Sequence, residues 1–146
     1  MTDASGPTAF FSKTYDEAFA LLIEARNYVA YEEAGDRAIV DDTVRLNVSL
    51  ETMRLTTRVI EIMAWLLHQK AVHAGEMSRE AVLDPDRRLS RHDICLGEPK
   101  AAARLPRRLG DLVSRSRKLY VRVLRLDEMM VRDIGPPRLD NLWAGD

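Results

Sequence analysis

Few residues in this chain have the type and spacing that chemistry demands. His92 and Cys95 lie three apart, close enough to share one side of a helical turn. A structural zinc site needs four ligands, and no second pair at zinc spacing follows. The plainer reading is a loop histidine and a buried cysteine. His68 and His73 are five apart and fall on different helix faces. Asp41–Asp42 and Glu32–Glu33 are carboxylate pairs adjacent in sequence, which suits helix caps and solvated charge better than acid–base work. There is no Gly-rich phosphate loop, and no Ser/His/Asp or Cys/His constellation can be assembled. The chain reads as a non-enzyme without metal or cofactor.

Its cations are the next candidates. Arg104, Arg107, Arg108, Arg115, Arg117, Lys118, Arg122 and Arg125 form a basic stripe that could neutralise phosphates. A nucleic-acid-binding regulator is therefore an alternative function. Against it, Tyr15 to Glu51 holds nine acidic and three basic residues, whereas Lys100 to Arg125 holds nine basic residues and one acid. Such segments can pair across a shared surface. Few aromatic residues interleave with the arginines, no turn-and-recognition-helix unit is visible, and the net charge is -1.

The element that must position these groups is the stretch from Thr43 to Ala74, which no Gly or Pro interrupts. Leu46, Leu50, Met53, Thr57, Ile60, Ala64, Leu67 and Ala71 alternate spacings of four and three, which makes one helical stripe. Val59, Ile62, Met63, Trp65 and Leu66 widen it. A helix over 43–74, capped by Asp41, Asp42 and Thr43 and stopped at Gly75, is the spine.

Before it, Thr14 and Glu17 have capping-box spacing, and Tyr15, Ala18, Phe19, Leu22, Ile23, Arg26, Val29 and Ala30 keep helical period. A first helix over about 14–33 is expected, ended by Gly35. Residues 76–104 carry the weakest pattern and read as a long loop with one or two short turns. Pro106 then suits the first turn of a third helix over about 106–133. Its core stripe is Leu105, Leu109, Leu112, Ser116, Leu119, Val123, Leu126 and Met130. Gly135-Pro136-Pro137 ends it.

The expected fold is all-α: an antiparallel, up–down–up three-helix bundle over residues 1–135, with two long helices and a long loop before the third. Residues 136–146 form a tail, where Leu139, Leu142 and Trp143 could dock on a partner or fold back on the bundle. A first helix of roughly 20 residues leaves part of the seam between the second and third helices bare, which predicts a homodimer. At 146 residues the chain has the length for one core. One cysteine excludes an internal disulfide, and no secretion signal or membrane span is visible, so a cytoplasmic protein is expected.

The spine segment ETMRLTTRVIEIMAWLLHQKAVHAGEMS resembles the signature of the RcdA family of alphaproteobacteria, regulators of degradation of the cell-cycle response regulator CtrA. SKTYDEAFALLIEARNYVAY and LPRRLGDLVSRSRKLYVRVLRLDEMM resemble the family's first and third helices, so the likeness spans roughly residues 10 to 131. Thr52 stands where the family more often has Ser. The resemblance implies a non-enzymatic adaptor that brings cargo such as CtrA to the ClpXP protease, together with the receiver-domain adaptor CpdR and the further adaptor PopA, at a cell pole. Its signature falls on the spine. Arg54 and Arg58 there share a face, and either meet an acidic partner or pair with carboxylates of the first helix, the second being favoured. Arg54, Arg58, Arg115, Lys118, Arg122, Leu139, Leu142 and Trp143 are the partner-binding candidates.

Overall fold

A computed structural model describes residues 7–99 and 102–134. It contains five α-helices: α1 (Pro7–Tyr31), α2 (Glu33–Ala38), α3 (Asp42–His73), α4 (His92–Cys95) and α5 (Arg107–Ile134). Among the described residues there is no strand, and the class is all-α. The tail lies outside the described residues.

Local chemistry explains most of the boundaries. The Asp41 carboxylate accepts from the Val44 N–H at 2.9 Å and starts α3. That bond, with Arg104 nearby, holds the Asp41 carboxyl below its usual range. Gly75 takes φ 76° and ends the helix, as a residue without Cβ can do freely. Two short 3₁₀ turns follow: over Glu80–Leu83, where Ser78 Oγ accepts from the Ala81 N–H, and over Pro85–Arg87, which Asp84 caps by accepting from the Asp86 N–H. Two boundaries differ from expectation. α1 begins at Pro7, and Thr14 is a buried residue inside it rather than a cap. Gly35 lies within α2, which Tyr28 pins to α1 by donating its hydroxyl to Asp36 at 2.9 Å.

Helix direction also departs from the expected course. Asp41 before α3 pairs with Arg104 before α5, Arg58 reaches Ser116, and Trp65 donates to Asp127 at 3.0 Å. Positions rise together along both helices, so α5 runs parallel to α3. α1 is antiparallel to both: Phe11 packs on Trp65 and His73, while Glu17 pairs with Arg122 and Glu24 with Arg115. The up–down–up order therefore fails at the third helix. Two parallel helices need a connection as long as themselves, and α3 is about 48 Å long at 1.5 Å per residue.

The segment between α3 and α5 supplies that length. It runs back along the bundle, with Ser90 on Glu61, Cys95 and Gly97 on Arg58, Glu98 on Arg54, and Arg104 on Asp41. Val82, Leu89 and Cys95 are buried, so this return segment is part of the core rather than a loose loop.

The third expected stripe holds: Leu105, Leu109, Leu112, Ser116, Leu119 and Val123 are buried, and Leu126 and Met130 are partly buried against the core. The spine stripe is not. Leu46 is 72% exposed and Ile60 58%, and Met53 and Leu67 also face outward. α3 instead turns Val44, Val48, Leu55, Val59, Ile62, Trp65 and Leu66 inward, together with the polar Glu51, Thr52, Arg58 and Gln69. The inward face is the one whose apolar pattern those polar residues interrupt.

Candidate partner-binding surfaces

Arg58 sits at the centre of the molecule with 0% of its surface exposed. Its Nε donates to the Cys95 carbonyl at 2.8 Å, its Nη2 to the Gly97 carbonyl at 3.0 Å, and its Nη1 to Ser116 Oγ at 3.4 Å. Burial pulls its pKa down, and the nearby Glu51 carboxylate opposes that shift. Arg54 pairs with Glu51 at 2.8 Å and lies against Gly97, where a Cβ would come within 3.0 Å of the guanidinium carbon. Both arginines are used internally, as favoured, but their partners are Glu51 and return-segment carbonyls rather than α1 carboxylates. A fully buried Arg58 is out of reach of any partner protein, which removes it from the candidate surface. Thr56 and Thr57 donate their hydroxyls to the carbonyls of Thr52 and Met53 in their own helix.

The return segment is anchored at two further points. Asp127, 2% exposed, accepts from Trp65 Nε1 and from Arg88 Nη2, the latter at 2.8 Å. Tyr120 donates its hydroxyl to the Ser90 carbonyl at 2.6 Å, and its burial raises its pKa. His92 Nε2 meets the Leu89 carbonyl at 3.1 Å. Burial pushes the Cys95 thiol up to about 11.

The basic stripe of α5 splits in two. Arg108, Arg115 and Arg122 lean toward α1, where Glu24 and Glu17 receive them. The Arg115 hydrogen bond holds the Glu24 carboxyl below its usual range. This is the cross-surface pairing of acidic first and basic third helices that the composition suggests. Arg115 and Arg122 remain half-exposed in those pairs, whereas Lys118 faces solvent and, among the described residues, has no ion-pair partner. Leu139, Leu142 and Trp143 lie outside the described residues.

The apolar surface missed from sequence lies on the α1–α3 side. Leu46, Met53, Ile60 and Leu67 recur every seven residues along the outer face of α3, and Phe19, Ile23 and Val29 continue that surface on α1. Between the helices lies a groove of about 380 Å³, lined by Leu22, Ala25, Arg26, Val29, Ala30, Thr56, Val59 and Ile60. The α1 helix, at 25 residues, is longer than expected, so a short first helix does not account for the bare surface. The cause is that α1 and α3 each carry more apolar residues than one face can bury.

Three packed helices with internally spent polar groups and bare apolar and cationic faces define a helical protein whose visible assets are surfaces. The chain belongs to the family described as "Protein of unknown function (DUF1465)", whose model matches residues 4–141, and this is the RcdA family. It is similar to RcdA from Caulobacter crescentus, whose crystal structure superposes with a TM-score of 0.67 at 32% sequence identity, covering 82% of this chain and 89% of that one. No curated protein matches the sequence. Among the described residues no helix is long and apolar enough to cross a membrane.

Proposed function

We propose that this protein is a non-enzymatic adaptor that tethers cell-cycle regulators for degradation by the ClpXP protease. The observation that carries the reading is the likeness to RcdA in sequence and in fold, over 82% of this chain and 89% of that one. The resemblance supplies the companions: the receiver-domain adaptor CpdR, the adaptor PopA, cargo such as CtrA, and recruitment to a cell pole from the cytoplasm. A tether raises the local concentration of cargo, so modest affinities suffice. A homodimer suits that role, and the seven-residue row on α3 with its α1 neighbours is the face proposed to form it. Arg115, Lys118, Arg122 and the tail residues Leu139, Leu142 and Trp143 are the proposed partner contacts. Reconstitution tests the reading: the chain, ClpXP, the receiver-domain adaptor and a candidate cargo are mixed, and cargo loss is followed. Adding the chain should speed degradation. An unchanged rate across the candidate cargoes would leave a passive scaffold instead.

A further inference from the structure

The cations of α5 that α1 does not neutralise are aligned. Arg107, Lys118 and Arg125 are eleven and seven residues apart, close to whole numbers of turns, so they share one line on the outward face. All three are exposed, and among the described residues none has an ion-pair partner. The line is about 27 Å long at 1.5 Å per residue. Beside it, between α5 and the return segment, runs a groove of about 370 Å³ whose floor includes Leu105 and Val113. Gly110 and Ser114 keep its wall low, and a Cβ at Gly110 would meet nothing within 4 Å. Arg117 closes one rim but is held by the Leu96 carbonyl and Glu98.

We propose that this face of α5 docks an acidic, partly apolar segment of a protein partner, with carboxylates on the Arg107–Lys118–Arg125 line and an apolar side chain in the groove. The inference deepens the adaptor reading and rests on it for a protein as the occupant. Charge complementarity selects the acidic segment, and the apolar floor selects peptide over polyphosphate. A duplex strand of that length presents about eight phosphates, against three cations.

The test uses the full chain and fluorescence anisotropy with two probes: a labelled peptide of alternating glutamate and leucine, and a labelled single-stranded oligonucleotide of equal charge. The peptide should bind the wild type, and R107E/K118E/R125E should weaken it about tenfold or more. S114W, which fills the groove, should weaken it comparably. A peptide with lysine for glutamate should recover binding on the triple variant. Equal thermal melts of all variants exclude unfolding as the cause. Peptide binding that is absent, or indifferent to these variants, overturns the proposal. Tighter oligonucleotide binding that the triple variant abolishes overturns it in favour of a nucleic-acid surface. The two readings separate in the reconstituted degradation assay. If the wild type and the triple variant accelerate cargo loss equally, the adaptor stands and this face is not its dock. If the wild type does not accelerate it, the adaptor reading fails whatever the peptide does.

Discussion

Replacing Arg58 should loosen the whole return segment. The guanidinium makes two short charge-assisted bonds to main-chain carbonyls, at 2.8 and 3.0 Å, and a longer one to Ser116. Hydrogen bonds to charged groups contribute about 1.5–3 kcal/mol each, which sets about 3–6 kcal/mol for the two short ones. Removing a buried cation also relieves its desolvation cost, but it leaves the Cys95 and Gly97 carbonyls without their donor. For one-sided removals of this kind the net loss is about 3–5 kcal/mol. Against a total of roughly 5–15 kcal/mol for a domain, Arg58→Ala should sit near the folding limit. Arg58→Met fills the volume without the donors and should fall between alanine and wild type. Arg58→Lys keeps the charge but loses the planar fork, so it cannot reach both carbonyls in the same geometry. Urea melts give the stability, and hydrogen exchange reads the amides of residues 94–98. A loss in R58A below about 1 kcal/mol, or unchanged exchange there, would refute a guanidinium clamp.

Four further outcomes follow. Light scattering at micromolar concentration should give about twice the 16.6 kDa chain mass, and M53E/I60E should halve it; a wild-type monomer rules out the α1–α3 dimer face. Asp127→Asn keeps an acceptor for Trp65 but drops the charge facing Arg88, whereas Asp127→Ala leaves the indole N–H unpaired; chemical denaturation should rank alanine the more destabilised by about 1–3 kcal/mol, and equal losses would contradict the Trp65 contact. The Cys95 thiol, raised from 9.0 to about 11, favours the neutral form in the folded state, so its share of stability is complete below pH 9 and lost as pH rises toward 11; Cys95→Ala should flatten that part of the pH–stability curve, and a thiol reagent should label the native wild type only on unfolding. Deleting residues 136–146 should leave the melting temperature nearly unchanged while slowing cargo delivery, and a fall of several degrees would place the tail in the core instead.

The third helix was legible because its inward face is mostly apolar, broken by the small Ser116 and, two turns from its end, by Asp127. The spine was legible as a helix but not in its rotation. Both faces of α3 are apolar enough to be core, and the outer one has the cleaner four–three spacing. The inner one is interrupted by Glu51, Thr52, Arg58 and Gln69, whose burial becomes intelligible only once their neighbours from the return segment and α5 are in place. The same ambiguity put Phe19 and Ile23 beside Ala18 on the expected stripe of α1, where Thr14, Ala18, Leu21, Ala25 and Tyr28 are buried. Helix direction was illegible for a different reason. Nothing in the pattern of residues 76–104 says whether they turn at one end or travel the bundle's length, although their number exceeds what a turn needs. The charge asymmetry between the first and third helices did carry a contact, since Glu17 and Glu24 do receive Arg122 and Arg115. It could not separate those arginines from the Arg107–Lys118–Arg125 line, because that division depends on a fraction of a helical turn.

A chain whose second and third long helices lie side by side in the same direction cannot assemble all its helices by simple hairpin closure. α1 and α3 are neighbours in sequence and antiparallel, so they can zip together from the turn at α2, where Arg45 ties the Arg37 and Val40 carbonyls. α5 must instead be brought back after some thirty residues, at a closure cost of about 3 kcal/mol on chain statistics alone, before Trp65 finds Asp127. Refolding should then be two-tiered. Mutations in the α1–α3 contact should slow folding, while those at Arg58 and Asp127 should mainly speed unfolding, since those bonds form after the rate-limiting step.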